Sequence, residues 1–313
     1  MDCRVCEYNL LFCKIVKDAK YMESITNGTI VVPFNMNLRP GKESVEYFGK
    51  LYQYFENPNI HTIICDLCEY QYIHPSYAVL IASSLYLGQQ KGKTVRIKYS
   101  RSNPKSIQFF IQSGLLKDKT LEQVVDMDLD KIGFIHFRKF EDTLETTQQI
   151  LDCAPVKLDK KLKDVLISKI GEIFANAFTH GQSEIGVFCC GFINDSKQFT
   201  FSVYDAGIGI PQNVSQYLRR EIPPQDALRW AFAQGNSTLN GQVDYPRGAG
   251  LNMLEDFVKV NGGRIDLVSC GGYCRIENSH SSFFDLEFPF IGTMFSMTIV
   301  ADNNHIYQLC KGE

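Results

Sequence analysis

Glu172 and Asn176 stand four residues apart in GEIFANAFTHG, residues 171–181, a stretch that otherwise reads as apolar helix. On a helix the two side chains leave the same face, about one turn apart. Two hydratable groups there call for something polar opposite them. Taken alone, the pair also fits a solvated glutamate beside an asparagine that caps or pairs locally, because helix surfaces hold many such pairs. A second group follows in VYDAGIGIP, residues 203–211, where Asp205 closes a strand-like run and Gly207 and Gly209 come after it. Glycines at this spacing allow positive φ and let the backbone come close to a ligand, though a carboxylate before glycines is also an ordinary strand-end turn. The third is YPRGAGLNMLEDFVKVNGGRI, residues 245–265, with Gly248 and Gly250 directly before a helical pattern at Leu251, Leu254 and Val258. Backbone N–H groups at a glycine-rich helix start form an anion site suited to phosphate oxygens, and the alternative is a plain helix N-cap.

Several elements must hold these groups. KLDKKLKDVLISKIGEIFANAFTHG reads as one long amphipathic helix ended by Gly181, followed by strands EIGVFCCGFI and QFTFSVYDAG joined at Asn194-Asp195-Ser196. Earlier in the chain, Thr29–Val32 is a short β-branched run ending at Pro33, and IHTIICDL, residues 60–67, reads as a buried strand. HPSYAVLIASSLYLGQQKGK then carries apolar residues at helical spacing, TVRIKYS is again strand-like, and KSIQFFIQSGL is a helix stopped at Gly114. This alternation predicts an α/β fold with helix-covered sheets. The charged, Thr-rich stretch before Pro155 marks the boundary: a first domain over 1–118, a connecting segment over 119–158 and a second domain over 159–313, with a peripheral tail from Asp302. No internal repeat or low-complexity segment stands out.

A chain of 313 residues favours two domains over one core. The content of 44% hydrophobic and 21% charged residues is that of a globular protein rather than a disordered one. Thirty-two basic against 35 acidic residues, a net charge of −3, argue against a nucleic-acid backbone as the main partner. The N-terminus lacks the pattern of a signal peptide, and the longest apolar stretch, residues 77–87, is too short to span a bilayer, so a cytoplasmic location without a membrane partner is expected. Most of the 11 cysteines sit in apolar segments, as do Cys65, Cys189 and Cys190, which fits reduced buried thiols. Cys3/Cys6 and Cys65/Cys68 have CxxC spacing that would suit four-thiolate zinc, against which strand alternation would send Cys65 and Cys68 to opposite faces.

The three groups, in this order, resemble the ATP-binding domain of the GHKL superfamily over roughly residues 160–300. E-x-x-x-N is similar to its N box, DAGIGIP to the first glycine box, RGAGLNML to the second, and GTMFSMTIV to the closing strand, while Asn252 stands where many members have a third glycine. The resemblance implies a two-layer α/β sandwich with an ATP lid. It implies that Asn176 holds Mg²⁺ on the phosphates and that Glu172 is the general base. Asp205 would accept the adenine amine with support from Thr293, and Gly207 and Gly209 would pass beneath the base. The stretch 232–250 is similar to the lid, with Ser237, Thr238 and Arg247 as candidate phosphate contacts beside Gly248 and Gly250. Phosphoryl transfer asks for charge neutralisation and alignment, which such a set supplies.

Residues 25–118 resemble a STAS domain through ICDLCEYQYIHPSYAVLIASSLYLGQQKGKTVRI and SRSNPKSIQFFIQSGLLK. Asp66-Leu67 match its loop, Ser76 takes the place of the phosphorylated serine, and His74, Pro75 and Tyr77 depart from the pattern. Ser76 also stands where a helix N-cap would. His136 is the candidate for a histidine-kinase acceptor, without the acidic neighbour and helical pattern that role requires, and His180 suits the helix C-terminus. The resemblances together imply an ATP- and Mg²⁺-dependent regulatory protein, a serine/threonine kinase of the anti-sigma class or a relative. The other reading is an ATP-gated switch controlling dimerisation or partner docking. A protein partner or substrate and a homo-oligomer are expected.

Overall fold

The computed structural model describes residues 24–34, 36–69, 72–98, 135–194, 196–233 and 250–309. Strands β1 (Ser24–Thr26) and β2 (Thr29–Pro33) form a hairpin whose two turn residues, Asn27 and Gly28, both have positive φ, the geometry an Asn-Gly pair adopts most easily. A two-residue strand, β3 (Asn37–Leu38), leads into α1 (Lys42–Glu56). Then come β4 (Thr62–Asp66), β5 (Tyr72–Ile73), a single 3₁₀ turn (Pro75–Tyr77), α2 (Ala78–Gln90) and β6 (Thr94–Lys98). The sheet order is β1-β2-β4-β6, with β2, β4 and β6 parallel.

Helix α2 is buried from Ala78 through Ser84 on every side. A helix apolar all round needs cover all round, and α2 has it, lying between its own sheet and a second, larger one. Its two serines satisfy their hydroxyls inside the helix, Ser83 Oγ donating to Leu80 O at 3.0 Å and Ser84 Oγ to Ile81 O at 2.6 Å.

The second part begins with β7 (Ile135–Phe137), a 3₁₀ turn (Phe140–Thr143), α3 (Leu144–Asp152) and β8 (Val156–Leu158), all within the stretch expected to be a connecting segment. It continues through α4 (Lys160–Thr179), β9 (Val187–Ile193), β10 (Gln198–Asp205), α5 (Gly209–Leu218) and α6 (Pro224–Phe232). It ends with α7 (Gly250–Asn261), β11 (Arg264–Ser269), β12 (Gly272–Glu277), β13 (His280–Asp285), β14 (Thr293–Val300) and β15 (Asp302–Tyr307). An antiparallel sheet of order β13-β12-β11-β14-β10-β9-β7 results. The tail expected to be peripheral is a strand: β15 runs parallel to β8, and Tyr307 O accepts from Asp159 N at 2.9 Å.

Alternation along β10 and β14 sorts the two faces of this sheet. Phe199, Phe201 and Val203 with Phe295, Met297 and Ile299 face a core shared with α4, α6 and α7. The opposite face starts polar, with Thr200 and Thr298 hydroxyls 2.8 Å apart and those of Ser202 and Ser296 3.0 Å apart. It turns apolar at Tyr204 and Met294, which join the core of the first part. This face of the larger sheet is covered by α2, which packs on β9 and β10. Among the described residues no helix is long and apolar enough to cross a membrane, and no group of His, Cys, Asp and Glu is arranged to hold a metal ion. Cys3, Cys6 and the helix expected at KSIQFFIQSGL lie outside the described residues. Cys65 is buried in β4, whereas Cys68 lies beyond the strand end, its N–H on Asp66 Oδ1 at 3.0 Å.

Candidate functional site

Asp159 caps α4, its Oδ1 accepting from Leu162 N at 2.7 Å. Leu162, Leu166, Ile170, Phe174 and Ala177 recur along one stripe of the helix and are buried under the sheet. That stripe fixes the helix rotation and turns Glu172 and Asn176 away from it. Asn176 is exposed and Glu172 half-buried, with Lys169 Nζ 2.6 Å from Glu172 Oε1. The helix closes on Asn176 O, which accepts from His180 N at 2.8 Å and Gly181 N at 3.1 Å.

The loop after β10 lies directly on that helix end. Ile208 N donates to Gly181 O at 2.9 Å. A Cβ at Gly207 would stand 1.6 Å from Gly181 O, and one at Gly181 would stand 2.6 Å from Asp205 Oδ1. The two glycines are therefore required by each other's backbone, and their contact brings Asp205 to the end of the helix that carries Asn176. Gly209 has φ +79°, and a Cβ there would meet Cys270 Sγ at 2.3 Å. Asn213 Nδ2 spans this junction, donating to His180 O and Gly209 O, each at 3.1 Å.

Strand register sets Thr293 opposite Asp205. Between them and the glycine loop sits Ser269, fully buried. Its Oγ accepts from Ile210 N at 2.7 Å and pairs with Thr293 Oγ1 at 2.9 Å. Gly292, at φ +79°, presses on the Asp205 carbonyl, where a Cβ would come within 1.9 Å. Asp205 itself is 4% exposed, and its Oδ1 accepts from Gly207 N at 3.0 Å. Burial pushes its carboxyl up to about 7 despite that N–H.

Asp205, Gly207, Gly209 and Thr293 are thus gathered at one end of the second sheet, beside Asn176, with Glu172 one turn back along α4. Gly250 opens α7, whose Leu254 and Val258 share the core with Leu166 and Ile170 of α4. Ser237, Thr238, Arg247 and Gly248 lie outside the described residues. Ser76 lies elsewhere, between the two sheets: it is 1% exposed, with Oγ 2.8 Å from His74 Nδ1. In this arrangement it is closed to a phosphoryl donor. His136 is a packing residue, stacked on Phe188 at 4.3 Å with a ring nitrogen on Ile185 O, and burial lowers its pKa. A small cavity lined by His74, Thr200, Arg264 and Thr298 opens at the far end of β10 from Asp205 and takes no part in this site.

Sequence reasoning missed Ser269, Asn213 and the packing role of Gly181. Gly181 carried a signal, a glycine ending the helix ahead of another glycine-bearing loop. Ser269 carried none.

No protein-family model matches the chain, and no curated protein matches it. Among solved structures, one that matches is the histidine kinase domain from the Erythrobacter litoralis EL346 blue-light activated histidine kinase. It is 12% identical, covers 71% of this chain and 82% of that one, and superposes with a TM-score of 0.26. A superposition of that quality does not establish a shared fold.

Proposed function

We propose that the chain is an ATP- and Mg²⁺-binding regulatory protein with a GHKL-type site, acting in a cytoplasmic signalling switch. The observation that carries this reading is the buried Asp205 carboxyl, accepting from Gly207 N in a strand position opposite Thr293, at the end of the helix bearing Asn176 and Glu172. Asp205 would accept the exocyclic amine of adenine, which a guanine ring does not offer in that place. Asn176 would contribute its amide oxygen to Mg²⁺, an ion that keeps most of its waters and binds phosphates. Glu172 would accept the proton of the attacking water or hydroxyl, with the Lys169 ammonium paired to its Oε1 at 2.6 Å.

Within this class the protein is a serine/threonine kinase of the anti-sigma type or an ATP-gated docking switch. The burial of Ser76 favours an acceptor on another molecule, or none, over transfer within the chain. The deciding experiment incubates the full chain with γ-labelled ATP and Mg²⁺, with Glu172→Ala alongside, and follows released phosphate and protein-bound label. Label on an added partner that disappears in the variant supports the kinase. Phosphate release alone supports an ATPase switch, and bound, unreacted ATP in both proteins removes catalysis from the proposal.

A further inference from the structure

Residues 286–292 connect the turn beside the candidate site with α1. On one side they are stitched to the turn beside the candidate site: Leu286 N donates to Gly271 O at 2.7 Å, Phe290 N to Cys270 O at 2.7 Å, and Cys270 N to Gly292 O at 3.1 Å. On the other side they rest on α1. Glu287 N donates to Glu46 Oε1 at 3.0 Å, the Phe290 and Tyr52 rings are 5.3 Å apart, and a Cβ at Gly49 would meet Phe288 O at 2.4 Å. Tyr204, the neighbour of Asp205, ties the same stretch down by donating from its hydroxyl to Ile291 O at 2.9 Å.

Gly292 leaves no room for a Cβ beside the Asp205 carbonyl, and closely packed interfaces shift between discrete arrangements rather than flex. Among the described residues, the buried Tyr52 hydroxyl in the seam lacks a well-aligned hydrogen bond and lies near Tyr204 and Ser83. Buried hydroxyls are rarely left so.

We propose, resting on the nucleotide reading above, that α1 of the first part sets nucleotide affinity. It does so by holding residues 286–292 against the Asp205–Thr293 end of the site. Nucleotide in turn tightens the α1 contact, since coupling between two sites is reciprocal. The first part is then a regulatory element read through a backbone strap, and whatever engages α1 changes the adenine end of the site.

The test is Gly49→Ala in the full chain, with Mg·ATP affinity by calorimetry and thermal unfolding measured side by side. Alanine favours the helix over glycine, so α1 keeps its form while the added methyl displaces Phe288 and Pro289. Affinity for Mg·ATP should fall by about fivefold or more, in the range of typical coupling between sites. Tyr204→Phe, which keeps the ring and frees Ile291 O, should weaken binding in the same direction. In the wild-type chain, Mg·ATP should also slow amide exchange in α1 as well as at 286–292. A folded Gly49→Ala chain with wild-type affinity overturns the inference alone. Should that variant not fold, unchanged affinity in Tyr204→Phe overturns it. A wild-type chain that binds no Mg·ATP overturns the nucleotide reading, and this inference with it.

Discussion

Replacing Asp205 by asparagine should stabilise the protein while damaging its site. The folded chain holds the Asp205 proton up to about pH 7, whereas an unfolded chain releases it in the ordinary carboxylate range. The folded state therefore binds more protons between those values, and stability falls as pH rises through that window and levels off above about 7. At roughly pH 8 the interval corresponds to about 4 kcal/mol, against about 0.5 kcal/mol near pH 4. A carboxamide in this place never ionises and retains an acceptor for Gly207 N, so Asp205→Asn should gain about 2–4 kcal/mol at pH 8 and little at pH 4. At about 2–4 °C per kcal/mol for a chain of this order, that is a rise in Tm of roughly 5 °C or more. The assay is thermal unfolding of both proteins across pH 4–8, with and without Mg·ATP. The variant should also lose most of the ATP-induced rise in Tm. A variant less stable than wild type at pH 8, or a difference that does not grow with pH, would refute the placement of Asp205 as a buried acid that ionises at a cost to the fold.

The same group makes nucleotide affinity depend on pH: with the carboxylate as acceptor, the wild-type chain should bind Mg·ATP roughly tenfold more weakly at pH 6 than at pH 8, checked by calorimetry. Gly207→Ala should cost about 3 kcal/mol or more, because its Cβ would stand 1.6 Å from Gly181 O and neither backbone has room to yield; denaturant unfolding measures it. Asn176→Ala should leave the fold intact, since the side chain is exposed, yet remove the Mg²⁺ dependence of ATP binding in a titration with and without the metal. Asp266→Ala should destabilise by about 3–5 kcal/mol, read as a lower urea midpoint. That carboxylate is 5% exposed and accepts from Tyr273 at 2.6 Å and from Arg275 Nη2 at 3.0 Å, and Arg275 also donates to Pro40 O at 2.6 Å across the seam.

The strands and helices flanking the three motifs were legible because they follow simple periods: α4 repeats its apolar residues every fourth position, and β10 alternates Phe and polar residues. The hairpin at Asn27-Gly28 is equally local in origin. What was not legible depends on contacts between distant segments. Strands β11 to β13 were not read from the sequence: β13 is an exposed edge, and β11 carries Arg264 and Asp266 among its apolar residues. Ser269 is an ordinary strand serine until folding sets it between Ile210 N and Thr293, segments 59 and 24 residues away. The uniform burial of α2 reads as a core helix, but nothing in the sequence says that its second cover is the other sheet. Ser76 is the sharpest case: its place in the loop pattern suggests access, and only the second sheet closes it.

That closure bears on where a phosphoryl group would go. Reaching Ser76 from any ATP site requires parting the seam in which it lies, and the seam buries Tyr77, Phe188, Tyr204 and Phe290, each no more than 2% exposed. At about 2–3 kcal/mol for each large side chain returned to water, opening it would cost roughly 10 kcal/mol. A ligand present at roughly a thousand times its Kd supplies only about 4 kcal/mol. Mg·ATP by itself therefore does not open the seam, whereas a small repacking along residues 286–292 lies within its reach. On the nucleotide reading proposed above, Ser76 would stay inside while residues 286–292 repack, and a phosphoryl acceptor, where there is one, would belong to another molecule.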